Sequence, residues 1–235
     1  MLFDHKLINS DIDDFDFNVT MGGNQLTKTT TYKYLGIQFD NKLSWDVHIN
    51  HLCKKLSQVA GIIFKNRNCL SLTSLLLVYN SLVGSRLRYG LCTWGTACNA
   101  RLQKLNQIHD KIIRFMSFAK PCSNVDPLYK TLGILKLEEL LKVEQAKFMY
   151  KFNSNSLPAV FSTYVSKPKH GYSTSYVRNG NFSMIHASSS KLQTSIKYVG
   201  PKIWCTVPAV LKNALNAKAF ARGLKKYYIE NSLPD

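Results

Sequence analysis

Five apolar residues, Ile49, Leu52, Leu56, Val59 and Ile63, recur at alternating spacings of three and four. That period puts them on one face of a helix and obliges the face to find a partner. Ser44 stands ahead of it as an N-cap, and Asp46 follows in the first turn, where the helix dipole favours negative charge. Lys54, Lys55 and Gln58 fall away from the apolar side. Similar segments follow. A second helix is predicted to start after Ser71, with Leu72, Leu76, Tyr79 and Val83 buried, and to end near Tyr89-Gly90. A third carries Leu102, Leu105, Ile108, Ile112 and Phe115, flanked by Arg101, Lys104, Lys111 and Arg114. Asp126-Pro127 opens a short helical turn. A longer helix is expected from about Lys136 to Phe152, with Leu137, Leu141, Phe148 and Phe152 inward, and 153–158 as its break.

The two ends read differently. Phe15 to Val19 alternates with period two, Gly22-Gly23-Asn24 is a turn, and Tyr32 to Phe39 is a second strand, which together predict a small antiparallel unit. Residues 159–200 are polar with weak periodicity and read as loops and short irregular strands, before a final helix from Leu215 to Ile229 carrying Lys218, Arg222, Lys225 and Lys226. No repeat suggests a solenoid.

Charge narrows the partners. The 235 residues carry a formal net charge of +17. Residues 1–46 hold four Lys/Arg against seven Asp/Glu, whereas the remainder holds 27 against seven. Such a field attracts polyanions, nucleic acid first and an anionic membrane surface second; the plain alternative is a merely soluble basic protein. No apolar run approaches the ~18 residues of a membrane span. Met1 to His5 lacks the basic region and apolar stretch of a secretory signal, so an intracellular location, nuclear or cytoplasmic, is expected. The cysteines at 53, 69, 92, 98, 122 and 205 form no Cys-x-x-Cys and read as free thiols, not a zinc site. His48 and His51 lie three apart on the first helix without an evident third ligand, and are assigned capping and surface roles. No Gly-x-Ser-x-Gly is present.

Several blocks carry a resemblance. Tyr32-Lys33-Tyr34-Leu35-Gly36-Ile37, then Asp40, Leu43-Ser44-Trp45 and His48-Ile49, resembles a stretch just downstream of the catalytic palm in reverse transcriptases of non-LTR (LINE-like) retrotransposons. Tyr79-Asn80-Ser81-Leu82, Leu87-Arg88-Tyr89-Gly90, Trp94-Gly95 and the run from Leu105 to Arg114 continue it in order. His170 to Thr174, Gly200-Pro201-Lys202-Ile203-Trp204, Pro208 and Phe220 resemble the tail blocks of jockey-like elements. Ser175, Cys205 and His109-Asp110 depart from the family pattern.

The resemblance implies an α+β fold, mostly α: a β-rich remnant over 1–43, a helical thumb-like region over 44–155, and a mixed region over 156–235. It implies RNA-directed DNA polymerase as the parent activity, with RNA and DNA, as a template–primer duplex, for partners. The family's metal-binding carboxylates would lie before residue 1. Asp11 to Asp16 is read as a solvated acidic turn, so no catalytic or metal-binding residue is assigned, and magnesium is expected only for the full-length parent. The chain alone is then expected to be inactive. By resemblance Tyr34, Leu35 and Gly36 sit near the element that holds the primer, although Gly36 also suits a bulge and Tyr34 and Leu35 the core. Lys54, Lys55, Lys65, Arg67, Arg86, Arg88, Lys104, Lys111 and Arg114 are the candidate phosphate contacts, since Asp110 is the sole acid from 47 to 119. Arg86 and Arg88 beside Tyr89 and Trp94 also offer stacking surfaces, with Trp94 assigned to the core. The alternative is a repurposed nucleic-acid- or protein-binding module without polymerase activity.

Overall fold

The structure, a computed structural model, describes residues 20–27, 29–166 and 182–231. The strand expected at Phe15–Val19, the acidic run Asp11–Asp16 and the block His170–Thr174 lie outside them. Two small antiparallel pairs precede the helices. β1 (Thr20–Met21) pairs with β2 (Asn24–Gln25) around Gly22-Gly23. The segment expected as one strand is instead a hairpin, β3 (Thr31–Tyr34) and β4 (Ile37–Asp40), with Tyr32 opposite Phe39. Leu35 and Gly36 between them have φ of 46° and 81°. Two successive residues with positive φ make the tight turn whose twist suits a two-residue hairpin.

Asp40, buried at the end of β4, turns the chain into the helices. One carboxylate oxygen accepts from the N–H groups of Lys42 (3.1 Å) and Ser44 (2.8 Å), the other from Trp45 N–H (2.8 Å). Leu43 and Trp45 both adopt left-handed φ within this knot. The helix α1 (Asp46–Asn66) therefore starts one step later than expected, and Ser44 Oγ meets the N–H and carboxylate of Asp46. Its buried face is the predicted one, Ile49, Leu52, Leu56, Val59 and Ile63.

α2 (Leu72–Val78), capped by Ser71 as expected, runs through a π-helical turn (Tyr79–Gly84) into α3 (Ser85–Arg88). The wider turn advances less angle per residue, so side chains spaced by four stay on one side. Leu75, Tyr79, Val83 and Leu87 are buried, whereas Leu72 is half exposed. Tyr79 and Val83 are thus buried as expected, while Leu72 and Leu76, which precede the π-helical turn, are exposed and partly buried. The helix ends at Arg88, and Gly90 (φ 62°) leads into α4 (Leu91–Trp94).

α5 (Asn99–Met116) packs along α1. The two run parallel: Arg101 pairs with Asp46 near both N-termini, and the Phe64 and Phe115 rings meet at 4.8 Å near both C-termini. α5 is rotated from its expected phase. Leu105, His109, Ile112, Ile113 and Met116 are buried, while Leu102, Ile108 and Phe115 are only partly so. His109 enters the core because Tyr79 Oη lies 2.7 Å from its Nε2 and so satisfies one ring nitrogen. α6 (Asp126–Leu132) begins with Asp126-Pro127. α7 (Leu137–Asn153) buries Leu137, Leu140, Val143, Ala146 and Met149, a face turned from the expected Leu141 and Phe148, because two layers cover it. α4 packs against it, and so do α9 (Ile196–Thr206) and α11 (Ala217–Asn231) near the C-terminus.

After a short 3-10 turn (Ala159–Phe161), the segment read as loop contains α8 (Ser190–Thr194) and the start of α9 (Ile196–Thr206). Gly200 lets α9 cross α7 closely, since a Cβ there would lie 2.6 Å from Met149 Sδ. Trp204 is buried between Phe182 and Phe220, each 6.0 Å away between ring centroids. α10 (Ala209–Lys212) and α11 (Ala217–Asn231) finish the chain, with Phe220 stacked on Tyr150 of α7 at 4.6 Å. Buried residues from Trp45 to Leu224 form one hydrophobic cluster. The architecture is mostly α, with two small sheets.

Candidate functional site

The parallel pairing of α1 and α5 leaves an open groove along one side. Ser57, Ala60, Gly61 and Phe64 of α1 face Ile108, Lys111 and Phe115 of α5 across it. Small side chains occupy its α1 wall, and nothing lies within 4 Å of where a Cβ of Gly61 would be.

One cation, Lys111, lines this groove, and others stand on the same two helices. Lys104 and Lys111 share the α5 stripe of Ile108 and Phe115, being spaced by four, three and four. Lys54 and Lys65 stand on the exposed stripe of α1 that includes Gly61. Arg67 closes the C-terminal end, its guanidinium 4.5 Å from the centroid of Phe64 and 5.0 Å from that of Phe118. Among the described residues none of these five cations has a carboxylate partner within salt-bridge distance. Arg101 on the same helix is employed differently, neutralised by Asp46.

The other sequence candidates stand elsewhere. Lys55 is exposed on the opposite flank of α1. Arg86 donates to Leu82 O (2.8 Å) within its own helix, and Arg114 donates from Nε to Ser123 O (3.1 Å). Arg88 reaches back over Gly84, whose Cβ would lie 3.3 Å from Nη1. Thus of the nine candidates Lys111 lines the groove and Arg67 sits on its Phe64, Lys54, Lys65 and Lys104 share helix stripes with lining residues, and four stand elsewhere.

The hairpin residues are more exposed than core residues: Tyr34 59% and Leu35 71%. Gly36 sits in the turn, with the Tyr89 ring 3.4 Å from where its Cβ would be, and Tyr89 Oη donates to Leu35 O. The nearest neighbour that glycine admits here is this tyrosine. Trp94 is fully buried, as assigned, and donates to Tyr89 O (2.8 Å). His48 corrects its surface assignment. It is buried against Trp94 at 5.8 Å and accepts from Gln38 N–H (3.4 Å); burial, then the charge of His51, holds its pKa below the usual value. Sequence reasoning left Asp40 without a role, although its short-range acceptor geometry is that of an Asx turn.

The chain is 30% identical over 151 residues to the RNA-directed DNA polymerase from mobile element jockey of Drosophila melanogaster. It is a relative of the retrotransposon RNA-directed DNA polymerases. The jockey polymerase of Drosophila funebris is 26% identical over 58% of the chain, and the probable polymerase from transposon X-element of Drosophila melanogaster is 28% identical over 36%. The aligned region is a small part of these polymerases, 16%, 15% and 10% of their respective lengths. No family model and no solved structure matches. Among the described residues of this polymerase relative, no helix is long and apolar enough to cross a membrane.

Proposed function

We propose that the groove between α1 and α5 is a phosphate-gripping surface for a template–primer duplex, serving a thumb-like role in a retrotransposon RNA-directed DNA polymerase. The observation that carries this reading is the set of cations on the two helices that form the groove, Lys54, Lys65, Lys104, Lys111 and Arg67, unpaired by described carboxylates beside small residues at Ser57, Ala60 and Gly61. Ammonium groups spaced one or two helical turns apart can track successive phosphates, and such contacts supply sequence-independent affinity. The absence of bulk at Ser57, Ala60 and Gly61 lets a sugar–phosphate strand approach the helix backbone. The tight turn at Leu35-Gly36, held by Tyr89, belongs in this reading to the neighbouring primer-holding element. The reading assigns grip to these residues and no polymerase chemistry.

The test is salt-dependent binding to an RNA–DNA hybrid by fluorescence anisotropy. Each lost phosphate contact lowers the slope of log K against log salt by about 0.9 for B-form DNA and by a similar amount here. Replacing both Lys104 and Lys111 with Gln should reduce the slope by about 2 and the affinity at least tenfold at low salt. Lys55→Gln should leave both unchanged. Equal affinities and slopes for all three proteins would sink the assignment.

A further inference from the structure

The interior of the α1–α5 groove differs chemically from the cations around it. Phe64, Ile108 and Phe115 supply its apolar walls, and Ser57 and Lys111 are the polar residues that line it. It holds about 400 Å³, within the roughly 300–1,000 Å³ of small-molecule sites. Phe64 is 48% exposed, and its ring meets that of Phe115 at 4.8 Å with the planes tilted by 52°. Two aromatic rings therefore stand at the edge of an open space large enough for a nucleotide.

A phosphate gains nothing from such walls. It is strongly hydrated, and pressing it against hydrocarbon removes water that no donor there replaces. The part of a nucleotide that gains is the base, whose π-face stacks on aromatic surface whatever its sequence. The cations suit the other part. Lys111 Nζ lies 5.6 Å from the Phe115 centroid, and the Arg67 guanidinium lies 4.5 Å from that of Phe64. Each ring thus has a positive charge beside it, where the phosphates flanking a stacked base would run. Asp110, the sole acid between residues 47 and 119, accepts from Tyr129 Oη (2.8 Å). That charge balance favours a polyanion over an apolar protein helix as the occupant.

We propose that the α1–α5 groove takes an unpaired base from the single strand beside the duplex, stacked against Phe64 and Phe115, with its phosphates at Lys111 and Arg67. The base site rests on the duplex-gripping reading above, in which the cations hold backbone, and it adds a preference for a hybrid that carries a single-stranded overhang.

The full chain is titrated by fluorescence anisotropy with three probes. One is a blunt RNA–DNA hybrid, the second has a short RNA overhang, and the third has the same overhang made abasic. The third keeps every phosphate and lacks only the overhanging bases. The intact overhang should bind at least about fivefold more tightly than the abasic one. Gly61→Leu fills the groove from a position where the first added carbon meets nothing within 4 Å, and leucine favours helix. Its thermal midpoint should be no lower than that of the wild type, and its ratio of intact to abasic affinity should fall to about one. Phe115→Leu keeps apolar bulk without the ring and should lower the ratio as well. Lys55→Gln, on the opposite flank of α1, should keep the wild-type ratio.

Equal affinity of the wild type for intact and abasic overhangs overturns the base site, and so does an undiminished ratio in a folded Gly61→Leu. Blunt-hybrid binding with its expected salt slope but no dependence on the bases overturns this inference alone. No binding of any probe overturns the duplex reading with it. Self-association in sedimentation velocity that Gly61→Leu abolishes, again without dependence on the bases, gives the groove to a second copy of the chain instead.

Discussion

Tyr79 Oη and His109 Nε2 lie 2.7 Å apart inside the helical core, joining the π-helical turn to α5. The rings are stacked at 5.8 Å, and Tyr129 meets His109 edge-on at 5.2 Å. Tyr129 in turn donates to Asp110 (2.8 Å). Burial pushes both phenols up from their ordinary pKa, Tyr129 further because of the Asp110 charge. Burial depresses His109 to about 3, so the ring is neutral in the folded protein.

That histidine makes stability depend on acidity. An unfolded histidine takes up its proton near pH 6.5, whereas folded His109 does so only near 3. Its contribution is therefore complete above pH 6.5 and falls as pH drops toward 3, by up to about 1.4 kcal/mol per pH unit. His48 is depressed in the same direction and adds to the loss. Denaturant midpoints between pH 7 and 4 should show this slope, and His109→Gln should flatten part of it. An unchanged slope in that variant would place the acid sensitivity elsewhere.

Asp40 closes a knot of backbone donors and is expected to matter more than an exposed acid. Asp40→Ala leaves three N–H groups without their acceptor, one of them the buried Trp45 N–H, and should cost about 2–3 kcal/mol. Asp40→Asn keeps one carbonyl oxygen and should lose roughly half as much. Equilibrium urea unfolding distinguishes the two; equal midpoints for wild type and Asp40→Ala would deny the knot.

How far the sequence can be read is visible at these residues. The apolar face of α1 follows a regular period and is legible to the residue. Asp40 is legible only as an acid near a turn, since its three backbone donors are aimed at it only when Leu43 and Trp45 enter left-handed backbone. The phase of α2 and α5 is not legible. A π-helical turn changes the rotation per residue between Tyr79 and Gly84, and a buried histidine looks polar until Tyr79 is known to face it. At the groove, composition supplied the cations but not their sorting. Lys104 and Lys111 were recoverable from spacing; Arg114 shows the same spacing and serves Ser123 O instead.

Two glycines should respond to the same substitution with opposite signs. Gly61→Ala lies in the interior of α1 with open space around the new methyl, and should stabilise the protein by about 0.5–1 kcal/mol. Gly95→Ala would place its Cβ 2.5 Å from Leu91 O and 2.8 Å from Leu141 Cδ1. The carbonyl belongs to backbone and cannot rotate aside, so a loss of about 1–3 kcal/mol is expected. Thermal melts of the two variants in one buffer decide the matter.

Thiol reactivity should follow burial. Cys69, Cys98 and Cys122 are exposed, while Cys92 lies at the α4–α7 contact, where burial first, then the charge of Glu144, raises its pKa to about 11. Iodoacetamide at pH 8 should label the three exposed cysteines first, and Cys92 at least tenfold more slowly, because thiolate is the reactive form. Peptide mass spectrometry of timed samples reads this; comparable rates at Cys92 and Cys122 would contradict the packing of α4 on α7.

The parallel course of α1 and α5 also sets an order of events during synthesis. Asp46 and Arg101 are 55 residues apart, and parallel neighbours cannot be joined by a short reversal of the chain. As the polypeptide emerges, the apolar stripe of α1 waits for Met116 before its cover is complete, so closure is a late, non-local step. A ribosome-stalled product ending between α4 and α5 should therefore be a better substrate for chaperones than one ending beyond residue 120.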